Sequence, residues 1–105
     1  VKRPLLLQAI TSADRHQVVA AVNDSLSARA GWVVDAHFFS NKAATIRFTI
    51  PRMALQAWLD DLAAARLRLD PTPLPEIGDE IAGSLSITFL HDEPDLVRDI
   101  PAVPG

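Results

Sequence analysis

The chain has 105 residues, with ten Lys and Arg against thirteen Asp and Glu, for a net charge of -3. That length suits one domain, which can bury enough surface for a core without metal or disulfide staples. There is no cysteine, which excludes disulfides, thiol catalysis, thiolate zinc sites and cysteine-held clusters together.

The charge is unevenly placed. Residues 1–70 carry nine basic and six acidic side chains, whereas residues 71–105 carry one basic residue, Arg98, and seven acidic ones. An acidic last third is a poor surface for nucleic acid or anionic lipid. No apolar run approaches the roughly 20 residues needed to span a bilayer. The opening Val1-Lys2-Arg3-Pro4-Leu5-Leu6-Leu7 is interrupted by Gln8 before a secretory leader would be complete. The expectation is a cytoplasmic domain with neither nucleic acid nor membrane as partner.

The first strand is read over Leu5 to Ile10, with Leu5, Leu7 and Ala9 facing the helices and Leu6 and Ile10 the other side. From about Arg15 to Ala30 the apolar residues Val18, Val22 and Leu26 recur at helical spacing. Asp14 suits the N-cap, and Gly31 suits the exit, where a positive φ costs glycine little.

A hairpin follows. The even positions Trp32, Val34, Ala36 and Phe38 form one apolar stripe, and after Ser40-Asn41-Lys42 the even positions Ala44, Ile46, Phe48 and Ile50 form another. Val33, Asp35, His37 and Phe39 then line the open face. Pro51 ends the strand, and Leu55, Trp58, Leu59 and Leu62 mark a second helix ending near Arg66 to Leu69. The proline-rich Asp70 to Pro75 is an extended connection. Ser84 to Leu90 alternates as a fourth strand, with Leu85, Ile87 and Phe89 inward.

The order strand, helix, strand, strand, helix, strand predicts an α+β, ferredoxin-like β-α-β-β-α-β sandwich: a four-stranded antiparallel sheet with two helices on one face. Crossover handedness places the first and third strands centrally, with the second and fourth at the edges. Residues 1–93 form the domain, and 94–105 a C-terminal turn and tail.

Chemistry is sparse. Acid–base work needs a positioned donor, and the candidates are His16, His37 and His91. The last two belong to opposite sheet edges and do not converge. Asp35 and His37 at i and i+2 can supply two metal ligands, but an ordinary polar pair on an exposed strand explains them as well, and no metal is expected. Ser12 and Ser40 lack a nucleophile elbow, and the four glycines are too scattered for a phosphate loop. RNA recognition would need aromatics on the central open strands, where only Arg47 fits. The chain therefore reads as no enzyme, with no cofactor. Asp14-Arg15-His16 at a strand-to-helix turn can hold a small carboxylate through helix amides and Arg15, against the plainer reading of a cap beside an exposed arginine.

Asp14-Arg15, Val18-Val19-Ala20-Ala21-Val22, Gly31-Trp32 and Val34-Asp35-Ala36-His37-Phe38-Phe39 together resemble ACT domains, particularly the N-terminal ACT-like domain of formyltetrahydrofolate deformylases. The resemblance covers about a quarter of the chain closely, and the catalytic domain of those enzymes has no counterpart here. It implies a regulatory or assembly role, and a ligand-binding set of Asp14, Arg15, His16, Gln17 and Val33 for an amino acid or similar small carboxylate at the first strand–helix loop and dimer interface. Many ACT domains carry proline and glycine after the aspartate–arginine pair. This chain has His16-Gln17, losing the close backbone approach that glycine permits. The favoured reading is therefore a non-catalytic assembly or interaction domain without a strong small-molecule ligand. Its expected form is a homodimer, with an interface of Leu6, Ile10, Val33, His37 and Phe39, to which Leu96, Val97 and Ile100 add apolar surface.

Overall fold

The computed structural model describes residues 4–40 and 42–90. Strand β1 (Leu5–Thr11) leads to helix α1 (Arg15–Ala28), then β2 (Trp32–Phe39) and β3 (Ala43–Pro51). A 3₁₀ turn over Arg52–Ala54 opens into α2 (Leu55–Ala64), followed by β4 (Arg68–Leu69) and β5 (Glu80–Phe89). This is an α+β domain with two helices against a mixed sheet, broadly ferredoxin-like in element order and consistent with the general ACT-like fold. His91, Leu96, Val97, Ile100 and the expected tail lie outside the described residues.

The sheet corrects the expected one in number, direction and order. Among the described residues it has five strands, ordered β2-β3-β5-β1-β4. β5 runs parallel to β1, and the other neighbours are antiparallel. The last long strand, not the first, lies beside β3. Gly83 shows why that close packing works: it pairs with Leu5 on one side and Phe48 on the other. A Cβ there would lie 2.4 Å from the Leu5 carbonyl oxygen and 2.9 Å from the Phe48 ring, so only glycine lets both neighbours approach.

The extra strand, β4, arises from a helix that ends early. Arg66 adopts a positive φ of 74°, and the Leu67 N–H bonds back to the Leu62 carbonyl at 3.1 Å, a Schellman stop that turns the chain out of α2. Leu67 is then buried, and Arg68 and Leu69 pair with Ile10 and Ala9. The alternation Leu67, Arg68, Leu69 is a strand signal that the preceding alanine-rich helix obscured.

The first helix ends by the same device one residue earlier than expected. Ala30, not Gly31, takes the positive φ of 64°, and the Gly31 N–H bonds to the Leu26 carbonyl at 2.8 Å. Gly31 is needed for clearance: a Cβ there would lie 2.7 Å from the Thr49 carbonyl oxygen. At the other end Asp14 caps the helix as expected, its carboxylate accepting from the Gln17 N–H at 3.1 Å.

One core joins both helices to one sheet face. Leu5, Leu7, Val22, Leu26, Ile46, Phe48, Leu55, Leu62, Leu85, Ile87 and Phe89 are buried as expected, and Leu59 is half-buried against them. Trp58 also lies at the centre, its ring 4.7 Å from that of Phe48 at 58°, and its indole N–H donates to the Ser25 hydroxyl at 3.0 Å. That bond satisfies a polar atom which burial would otherwise penalise.

β2 departs from expectation most. Val34, Ala36 and Phe38, expected in the core, are exposed, and no residue of the strand is buried. A bulge between Val33 and Asp35 shifts the register. Val33 therefore faces the helix side opposite Phe48, and Trp32 lies opposite Thr49 on the open face. Ala36 and Phe38 keep the helix-side register, opposite Ile46 and Ala44, but stay exposed among the described residues. Two helices of about 10 Å diameter span about four strands at about 4.8 Å spacing, and β2 is the strand left at the rim.

Candidate functional site

Rows of opposed residues define the open sheet face. Across β2, β3, β5 and β1, one row reads Asp35, Arg47, Ser84, Leu6; the next His37, Thr45, Ser86, Gln8; and the next Phe39, Ala43, Thr88, Ile10. Leu6 and Phe39 are both exposed, but the insertion of β5 puts two strands of mostly polar side chains between them. The contiguous apolar patch expected on this face is therefore absent among the described residues. Val33 leaves the set as well, because the bulge turns it to the helix side.

Apolar exposure is concentrated instead along β2. Trp32, Val34, Phe38 and Phe39 are 48–57% exposed, and among the described residues the strand pairs only with β3. Its other edge has no partner strand among the described residues, the feature by which sheets recruit further strands. This concentration on one rim was hidden in the sequence, because the alternation assigned three of these four side chains to the apolar core stripe.

Electrostatic order crosses the same strand. The Arg47 guanidinium forks onto both Asp35 oxygens, with Nε to Oδ1 at 2.8 Å and Nη2 to Oδ2. Hydrogen bonding to Arg47 holds the Asp35 carboxyl below its ordinary range, and the same bond raises the arginine. His37 Nε2 lies 3.9 Å from Asp35 Oδ1. With both carboxylate oxygens held by one guanidinium, Asp35 serves an ion pair. Among the described residues, no group of three or more His, Cys, Asp or Glu is placed to hold a metal ion.

The suggested ligand set is divided by α1. Arg15, His16 and Val33 line an open groove of about 700 Å³ between α1 and β2, together with Val19, Ala36 and Phe38. Asp14 and Gln17 line a separate depression of about 560 Å³, next to Ala65 and Arg66. Asp14 is also occupied as the helix cap. The groove is largely apolar with a basic end, whereas the second depression is small-sided and polar. Neither contains a nucleophile paired with a base.

No helix among the described residues is long and apolar enough to cross a membrane. Compared with protein-family models, with curated proteins and with solved structures, the chain matches none of them.

Proposed function

We propose that this is a non-catalytic assembly domain that self-associates through the rim strand β2. One observation carries the reading: a strand whose outer edge has no partner among the described residues bears four large, half-exposed apolar side chains, Trp32, Val34, Phe38 and Phe39. Leaving such a strand unpartnered exposes both apolar surface and unpaired backbone groups, and pairing with another edge removes both. A cyclic dimer is the commonest closure for one such edge per chain. The resemblance to ACT domains points the same way, and its narrower tie to the deformylases rests on residues 14–39 alone. Phe38→Lys tests the reading. It should reduce the dimer mass seen by light scattering to that of one chain while the far-ultraviolet circular dichroism is unchanged. A dimer that survives the substitution intact counts against β2.

A second reading is favoured by the groove itself: a regulatory domain that holds an amino acid or similar small carboxylate near Arg15 and His16, with Val33, Ala36 and Phe38 against its apolar part. A thermal-shift survey of free amino acids would test it. A stabilisation that Arg15→Ala abolishes supports a ligand, and a flat response across the set removes one.

A further inference from the structure

Resting on the assembly reading, we infer that a second copy of the chain adds to β2 antiparallel, with the two-fold axis passing through Ala36, so that Asp35 of each chain faces the partner's His37. Residues opposed across an antiparallel pair share a face. A two-fold axis perpendicular to the sheet therefore runs through a residue, not between two. The bulge at Val34 ends regular pairing on one side, and the Ser40 turn, with φ 67°, ends it on the other. That leaves Ala36, His37 and Phe38 as the central choices for the axis.

The three registers differ in what they oppose. An axis through His37 sets two imidazoles against each other and puts each Asp35 carboxylate opposite Phe39. An axis through Phe38 stacks the two Phe38 rings, but leaves Asp35 beyond the end of the partner's strand. An axis through Ala36 pairs Asp35 with the partner's His37 twice. It also brings Phe38 beside the partner's bulge at Val34, where each of the two side chains is 51% exposed. Asp35 would then stand between Arg47 of its own chain and the partner's His37, extending the ion pair already formed across β2 and β3. A carboxylate then faces an imidazole, which can donate an N–H to it, instead of a phenyl ring, and small Ala36 at the axis lets the backbones meet without a clash.

The chain has no cysteine of its own, so single cysteines report the register directly. Opposed residues have Cα atoms about 4.5–5.5 Å apart, within the range a disulfide spans. A residue one position from the axis is about 8 Å from its own copy, beyond disulfide reach. Under mild oxidation Ala36→Cys should accumulate as a disulfide dimer on the order of tenfold faster than His37→Cys or Phe38→Cys, given that geometry. All three positions are exposed, so the variants should keep the fold. Fastest cross-linking at His37→Cys or Phe38→Cys overturns this register. A dimeric parent chain with no cross-linking at any of the three overturns pairing through this stretch. A parent chain that stays monomeric overturns the assembly reading beneath it.

Discussion

Single residues carry strain and clearance that can be tested one at a time. Ala30 and Arg66 hold left-handed backbone at the two helix exits, where an L residue costs about 1–2 kcal/mol and glycine little, less glycine's own entropy. Ala30→Gly should therefore stabilise the domain by about 0.5–1 kcal/mol, read as a higher midpoint in urea. No change, or a loss, would show that the Ala30 methyl group contributes something other than strain. Gly83 has the opposite constraint. Gly83→Ala should destabilise by about 1–3 kcal/mol by overpacking, because the new methyl meets the Leu5 carbonyl and the Phe48 ring. Phe48→Ala should cost about 3–5 kcal/mol, since the ring is fully buried and packs on Trp58. A loss below about 1 kcal/mol would contradict that packing.

At the scale of elements, the helices and the inner strands were legible because burial there follows one period throughout. Val18, Val22 and Leu26 repeat at helical spacing, and Ile46, Phe48 and Ile50 alternate without interruption. The rim was not legible, because alternation in β2 reports which face a side chain takes, not whether anything covers that face. Phe38 takes the expected side and remains exposed. The bulge at Val34 has no signature in composition, and it alone exchanged Trp32 with Val33. Of the suggested ligand residues, the neighbours Arg15 and His16 do share a groove with Val33, whereas Asp14 and Gln17 fall on the other side of α1. Sequence adjacency hid that division, since successive helical residues turn about 100° apart.

The two helices are also fastened to each other by Arg29 and Asp61, with Nε to Oδ2 at 2.9 Å and Nη2 to Oδ1 at 3.0 Å. Hydrogen bonding to Arg29 lowers the Asp61 carboxyl. A carboxyl lowered in the folded state contributes stability above its unfolded titration range, and loses it as the pH falls through the folded one. Asp61→Asn should therefore be less stable than the parent near about pH 7, with the gap closing towards about pH 3. A gap that stayed constant over that range would assign the effect to something other than the ion pair.

For the whole molecule, the pattern of burial separates a finished side from an unfinished one. The short strand β4 closes one end of the sheet with two residues, and the helices cover its middle. β2 has eight residues, none of them buried, and an edge with no partner strand among the described residues. The groove beside it opens to the same rim, so any second copy that extends the sheet also borders that groove. Sedimentation equilibrium of the parent chain, from low to high micromolar concentration, tests this account most directly. It expects a reversible rise to the mass of two chains, whereas the mass of one chain across the whole range would contradict it.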